Sequence, residues 1–555
     1  MGTNNHYLRY VKRNNSHRIA GISFILFTTI YLIWLIRNLN TSAFYISYPF
    51  LAFQIFSFIF ISISIINNWK GVYRTKRPKL PDDPPPCAVV VPTLREPISV
   101  IRQTLKSLLN LTYPGKVVII LSNDDNRIGQ KTRLLKLMEE LSEYWRKKVS
   151  NSQKTYQRSL FLINTKPHKD AKAGNLNQSL KFLKMYHPEI NLLLTQDADE
   201  LVYPDILEAT VGYFQNSLVA YVQTIKQSAV SKDDPFGNRD LMWYCRTAAS
   251  RDSVNAMFAC GSGVVWKISA LKSIDGFSTW NLVEDLTTSY QLLSMGWQGR
   301  YHYEALSYGL APEDLPNFIK QRGTWAIDHL RLFFWDNPLT KKDLTIFQRL
   351  QFLEPSLFYL NGFLNLTLVI VTSASLLWEV WPTRVDALTH AQYLIPSFLS
   401  LEIYYLLLAE NIPFRRIRQF WVGLAPVFSI AAVRALIFGP NNKPPYIVTR
   451  KENIYGNYIS LVLPQIITLS LILVSLVKIL ISTPLYSAFD WAAVFWGFYQ
   501  ASFFLQPIKV SWWNWAPMVT LQLTWGNFAA FVRQLLINNR YRFARSLEFR
   551  SPHSS

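Results

Sequence analysis

Cysteine is scarce, with only Cys87, Cys245 and Cys260 in 555 residues. Three thiols confined to the middle of the chain exclude a disulfide framework and fit a reducing compartment. Acidic residues are also few, 36 Asp and Glu against 57 Lys and Arg, which leaves a formal charge of +21. Such an excess suits nucleic acid or anionic lipid, and its placement separates the two. Arg9, Lys12, Arg13 and Arg18 precede the first apolar run, and Lys70, Arg74, Lys76, Arg77 and Lys79 follow the second. Cations beside apolar runs mark cytoplasmic loops against membrane lipid, so no nucleic-acid partner is expected. The first apolar run lacks a small-residue cleavage site and is soon followed by another, as in an uncleaved span.

Half of the residues are hydrophobic, concentrated at the start and through the final third. Runs at 19–36 and 43–66 are each long enough to cross a hydrocarbon core of about 30 Å. Further apolar runs occupy 357–377, 393–409, 420–438, 459–477 and 491–505. The run at 420–438 has basic residues on both flanks and holds Pro426 and Arg434, so it reads as an interfacial helix, as does 512–531. Six spans are then expected, with both termini cytoplasmic. Glu402 falls within the fourth span, where an ionisable group either lines a cavity or joins two helices by hydrogen bonds.

Between these runs, short β-branched segments alternate with amphipathic ones. Strands are expected at 88–91, 116–121, 159–163 and 191–194, with helices near 99–110, 131–148 and 175–185, which predicts a mostly parallel α/β sheet. The expected organisation is a transmembrane hairpin at 1–69, an aqueous α/β domain at 70–313 and interfacial helices at 314–350. Transmembrane helices follow at 351–411, an interfacial helix and loop at 412–456, transmembrane helices at 457–508, and a basic amphipathic segment at 509–555.

Acidic groups recur just after the apolar strands. Thr93 and Glu96 follow the first, Asp124-Asp125 the second, and Asp197-Ala-Asp199 the fourth. On an ideal strand, residues i and i+2 share a side, so Asp197 and Asp199 could aim two carboxylates at one hard divalent cation; an Asp-rich turn is the alternative. Lys172, beside Gly174, is either a point charge for phosphate or a solvated helix-start lysine. Glu284 and Asp285 are either first-turn residues favoured by a helix dipole or a general base. Gln321-Arg322-Gly323-Thr324-Trp325 offers a cation and an indole that could stack on a sugar or anchor an interface.

Together, Asp124-Asp125, Lys172-Ala-Gly-Asn175, Asp197-Ala-Asp199, Glu284-Asp285 before Gly296-Trp297, and Gln321-Arg322 with Trp325 resemble the processive family 2 glycosyltransferases. The resemblance is strongest to the cellulose synthase catalytic subunit, with hyaluronan and chitin synthases as relatives, and runs from about Pro92 to Lys451. It implies an α/β domain of the GT-A type inserted in an α-helical transmembrane bundle, a UDP-sugar donor and a Mg2+ or Mn2+ cofactor. It further implies a growing polysaccharide as acceptor, export accessory proteins as partners, and an inner (plasma) membrane location with the catalytic domain cytoplasmic.

By resemblance, Thr93, Glu96 and Asp124 contact the uridine, Asp197 and Asp199 hold the nucleotide and its metal, Asp285 is the base and Trp325 the acceptor platform. Tyr446, Val448, Thr449 and Lys451 match a loop that closes over the nucleotide. Three departures stand out: Val283 replaces a Thr, Tyr446 a Phe, and Thr324 an Arg that engages the pyrophosphate. Arg322, Arg450 and Lys451 are the cations at hand to replace it. A single transfer to a lipid, or a nucleotide-binding partner subunit without activity, are the alternative functions. The likeness of Gly309-Leu-Ala-Pro-Glu313 to cellulose synthases favours UDP-glucose and a β-glucan. No cyclic-di-GMP-binding β-barrel is expected within this chain.

Overall fold

The computed structural model describes residues 15–150, 156–164, 170–230, 234–237, 240–410, 412, 414–443, 456–482 and 488–511. Helices α1 (Ser16–Arg37) and α2 (Phe44–Asn67) form the expected hairpin. Ile19, Ile22, Ile30 and Ile33 stay exposed on α1 while Phe24, Tyr31 and Leu35 are buried, as in a helix with one face on protein and the other available to lipid.

The α/β domain begins with β1 (Cys87–Thr93), α3 (Ile98–Leu109), β2 (Val117–Asn123), α4 (Gln130–Ser150), β3 (Arg158–Asn164), α5 (Ala171–Tyr186) and β4 (Leu192–Thr195). These strands pair in parallel in the order β3-β2-β1-β4, with Cys87 opposite Val117 and Leu192. Every residue of β2 is buried, which is why its sequence, Val-Val-Ile-Ile-Leu, is a continuous apolar run. Along β1 the pleat sends Val89 and Val91 into a core with Ile101 and Leu105 of α3, and Ala88 and Val90 into a second core with Leu176 and Leu183 of α5. Each such buried valine or leucine contributes about 1.5–3 kcal/mol of apolar burial.

The other half of the sheet departs from the expected parallel pattern. Strands β5 (Glu200–Val202), β6 (Val219–Ala229), β7 (Val264–Lys267) and β8 (Gln298–Leu310), with α6 (Glu284–Ser294) before β8, complete an eight-stranded mixed sheet. β7 lies antiparallel between β4 and β6, β8 is parallel to β6, and β5 is antiparallel to β8. Gly296 (φ +84°) closes α6 in the left-handed region, with the Trp297 amide donating back to Leu292 O at 3.1 Å, so the Gly-Trp pair ends a helix.

Helix α7 (Leu315–Trp335) is capped by Asp314, and α8 (Ile346–Trp378) by a capping box between Thr345 and Gln348. They are followed by α9 (Ala387–Ala409), α10 (Phe414–Gly423), α11 (Ala425–Phe438), α12 (Leu463–Ser482) and α13 (Ala488–Val510). Five helices among the described residues are long and apolar enough to span a membrane: Ser16–Arg37, Thr41–Asn67, Ile346–Trp378, Ala387–Ala409 and Ile459–Ile481. The run at 491–505, expected as a sixth span, lies in α13. The run at 420–438, expected as one helix, is two segments bent by 52° at Leu424, just before Pro426. Residues 512–531 and the loop carrying Tyr446, Val448, Thr449 and Lys451 lie outside the described residues.

Candidate active site

The first two strands bring Thr93, Glu96 and Asp124 together at their carboxyl ends, where open α/β sheets hold ligands. The Glu96 carboxylate accepts from Thr93 Oγ1 at 2.7 Å and from the Leu94 amide at 2.5 Å, and this tight loop places Arg95 at φ 72°. The Asp124 amide donates to Thr93 O at 3.0 Å, tying the two strand ends together. Beside it, Asp125 holds Arg127 through both carboxylate oxygens. The guanidinium keeps the Asp125 carboxyl below the usual carboxylate range, against the opposing effect of burial.

Asp197-Ala-Asp199 lies in the turn joining β4 to β5, because β4 ends at Thr195. The i, i+2 rule for a strand therefore does not describe the pair; the turn does. The Asp197 amide donates to Ser262 Oγ at 3.0 Å, and Ala198 O accepts from Thr104 Oγ1 at 2.6 Å, so the segment before β7 and helix α3 both hold the turn. Asp199 is only 6% exposed, while Asp197 opens toward Lys172.

Lys172, in the first turn of α5, is the hub of the site. Its Nζ lies 2.7 Å from Asp197 Oδ1 and 3.1 Å from Glu284 Oε1, and it donates to Gly261 O at 2.9 Å. Burial would lower the lysine pKa, but Asp197, Glu284 and Asp285 outweigh it and raise it well above the ordinary value. Asp285, 8% exposed, accepts the Leu286 amide at 2.6 Å. Burial, with the adjacent Glu284 charge, pushes its carboxyl well above the ordinary aspartate value, and Lys172 pulls the other way.

Sequence reasoning did not single out Gly261, Glu200 or Lys226. Gly261 (φ +76°) passes so close that a Cβ would lie 2.9 Å from Asp285 Oδ2 and 3.1 Å from Lys172 Nζ. Only glycine meets both that conformation and that approach. Lys226 forms a buried ion pair with Glu200 and feels the charges of Asp197 and Asp199. The acidic run Asp199-Glu200 was the available signal; Lys226, within a strand, offered none.

Asp285 lines one end of a cavity of about 1040 Å3, with Gln321, Arg322 and Trp325 of α7 on its wall. Arg322 is 3% exposed, donates to Asp240 Oδ1 at 2.8 Å and stacks over Trp325 at 4.4 Å and Trp421 at 5.2 Å. Thr324 Oγ1 donates to Lys320 O at 2.9 Å within the helix. The cavity continues along α8 past Glu354, Asn361, Asn365, Thr372 and Ser375 to Trp381 and His390. From Glu354 to Ser375 a helix rises about 30 Å, the thickness of a hydrocarbon core.

Among the described residues no group of three His, Cys, Asp or Glu side chains forms a ready cation cage. Asp197 and Asp199, two hard oxygen donors in one turn, are the residues that would hold a divalent ion.

Residues 84–327 match the family described as glycosyltransferase like family 2. Cellulose synthase 1 of Komagataeibacter xylinus is 26% identical over 315 residues, covering 54% of this chain and 18% of that protein. The UDP-forming cellulose synthase catalytic subunit of Pseudomonas fluorescens is 26% identical over 330 residues, covering 58% and 41%. The matches thus span less than half of these relatives' length. Among solved structures, a mannosyltransferase from Pyrobaculum calidifontis in complex with GDP-Man and Mn2+ aligns with a TM-score of 0.45 and 17% identity, over 74% of this chain and 99% of that one. Residues 84–327 thus carry a likeness to the family 2 glycosyltransferases, cellulose synthases among them, and are joined to a bundle of apolar helices.

Proposed function

We propose that the protein is an inverting glycosyltransferase of a plasma membrane that moves glucose from UDP-glucose, on the cytoplasmic side, to the growing end of a β-glucan. The same chain passes the polymer between its helices. The observation that carries this reading is the cavity itself, with Asp285 and Trp325 at one end and a polar-studded wall along α8.

In this reading Thr93, Glu96 and Asp124 receive the uridine, and Asp197 and Asp199 would hold a divalent ion. That ion, Mg2+ or Mn2+, supplies a Lewis acid for the charge developing on the leaving group. Ionised Asp285 takes the proton from the acceptor hydroxyl as its oxygen bonds to the anomeric carbon and the bond to the diphosphate oxygen breaks, releasing UDP. Attack opposite the leaving group turns an α-linked donor into a β-linked product. Lys172 holds Asp197 and Glu284 in place and keeps Asp285 from retaining its proton more tightly still. Trp325, its ring packed against the Arg322 cation, presents a face for the acceptor sugar. With Arg322 committed to Asp240 and the indoles, Lys172 and Lys226 are cations that, among the described residues, act on the aspartates.

The test is turnover by the purified chain in lipid with a panel of UDP-sugars, with and without Mg2+ or Mn2+. Released UDP with insoluble, glucanase-sensitive polymer from UDP-glucose is the expected result. A short lipid-linked product would replace the polymerase by a single-transfer enzyme, and no turnover with retained UDP binding would leave a binding subunit.

A further inference from the structure

Asp328 lies three residues after Trp325 on α7, buried, and its carboxylate faces the loop that leads into α6. Oδ2 accepts the Val283 amide at 2.6 Å and Oδ1 the Leu282 amide at 3.3 Å. Val283 occupies the N-cap of α6 and has no side-chain oxygen to cap it, so the carboxylate that orders this helix entry comes from another helix.

A second contact reinforces the first. Asn281 Nδ2 donates to Asp328 O at 3.1 Å, and Asn281 Oδ1 accepts from Arg331 Nε at 3.0 Å. Arg331, one turn beyond Asp328 and buried, also donates to Gly439 O at 2.9 Å and stacks over Trp280 at 4.9 Å. Trp280 Nε1 donates to Pro440 O at 3.0 Å. Residues 280–283 are thus held from α7 by two charged side chains of opposite sign, on the helix that also carries Gln321 and Trp325.

Resting on the transferase reading above, we propose that Asp328 and Arg331 are positioning residues: they clamp residues 280–283 to α7 and so fix the distance between the Asp285 carboxylate and the acceptor platform at Trp325. Neither touches substrate in this proposal. Their effect is on where Asp285 points when an acceptor hydroxyl sits on Trp325, and misplacement of a reacting group by about 1 Å can cost about 10^2-fold in rate. Burial pushes the Asp328 carboxyl up to about 7, and the two amides with Arg331 hold it below what burial alone would give. A carboxamide at this place can accept one of the two amides but presents its NH2 to the other.

The experiment compares wild type with Asp328→Asn and Asp328→Ala in lipid nanodiscs by amide hydrogen exchange, UDP binding and steady-state kinetics. The clamp predicts about tenfold faster exchange in the peptide covering 280–286, unchanged exchange in β1 and β2, and UDP affinity and donor KM within twofold. It also predicts a fall of about tenfold or more in kcat, with Asn no better than threefold above Ala. Unchanged exchange at 280–286, or unchanged kcat, overturns the proposal. So does a parallel loss of UDP affinity and sheet protection, which would make Asp328 merely structural. If wild type transfers no sugar, the transferase reading fails by itself, and the exchange measurement still decides whether the clamp exists.

Discussion

Lys172 Nζ stands 2.7 Å from Asp197 Oδ1, joining the first turn of one helix to the turn behind a neighbouring strand. That contact sets a cation among carboxylates, with Asp197 and Glu284 within ion-pair distance and Asp285 near enough for its charge to be felt. It orders the expectations for the site.

The first concerns the base. Asp285→Asn should lower kcat by about 10^2-fold or more while leaving UDP binding intact, since general base catalysis contributes 10^2 to 10^4. Titration calorimetry with UDP beside a turnover assay separates the two. UDP affinity lost along with turnover would place Asp285 in nucleotide binding instead.

The second concerns pH. A base must be ionised, and burial with Glu284 raises the Asp285 carboxyl above the ordinary aspartate value. Turnover should therefore rise with pH along a limb displaced upward from the normal carboxylate range. Lys172 lowers that pKa, so Lys172→Met should move the limb to higher pH. The effect on stability has the opposite sense: a carboxyl raised in the folded state favours folding below its unfolded value, and this contribution is lost as pH rises through the folded one. A pH–kcat profile for Lys172→Met that coincides with wild type would contradict the assignment.

Much of this site could be read from the sequence, and what could not has a common cause. Asp197 is singled out by its position after an apolar strand, Lys172 and Glu284 by their places at helix starts, and the fold brings both carboxylates within ion-pair distance of Lys172. The strands before them, such as the fully buried β2, announce themselves as apolar runs. β8 does not: Arg300 and Glu304 interrupt it, and Glu304 is there to pair with Arg77. Contacts between distant positions leave no local trace either. Nothing near Gly261 signals that Asp285 and Lys172 will crowd it, and Arg322 reads as a free cation until Asp240 is seen beside it. The Asp197–Asp199 pair looked like a strand end because three leucines lead toward it; the strand ends at Thr195, two residues before Asp197.

The third prediction concerns the metal. Chelation should stop turnover and re-addition of Mg2+ or Mn2+ restore it. Asp199→Ala should weaken UDP binding in the presence of metal by about tenfold or more, yet leave metal-free binding unchanged. Equal losses with and without metal would show that Asp199 contacts the nucleotide or supports the fold, not the ion.

The fourth concerns the β1 loop. Glu96 accepts from Thr93 Oγ1 and the Leu94 amide, and each such bond is worth about 0.5–1.5 kcal/mol, more to a charged acceptor. Glu96→Ala should release the loop and weaken UDP about tenfold, while Thr93→Val, which removes one bond, should weaken it less. Uridine binding alone, without the diphosphate, should show the same order. If only the diphosphate-bearing ligand responds, the loop serves the phosphates.

The last concerns Glu402, whose place inside an apolar helix left it either a cavity wall or a link between helices. Its Oε1 lies 2.5 Å from Arg418 Nη1 and 3.4 Å from the Tyr499 hydroxyl, so it links α9 to α10 and α13, and Arg418 and Tyr499 face the cavity. Glu402→Gln should leave Arg418 charged and poorly paired among apolar helices, at a loss of about 1–3 kcal/mol. Replacing both Glu402 and Arg418 with apolar residues should recover part of that, because the uncompensated cation is then gone. Thermal unfolding of the two variants in nanodiscs measures the difference. Polymer delivered into sealed vesicles, normalised to UDP released, then isolates any part the pair plays in transport. Intact synthesis with unchanged delivery in Glu402→Gln would confine Glu402 to holding the helices together.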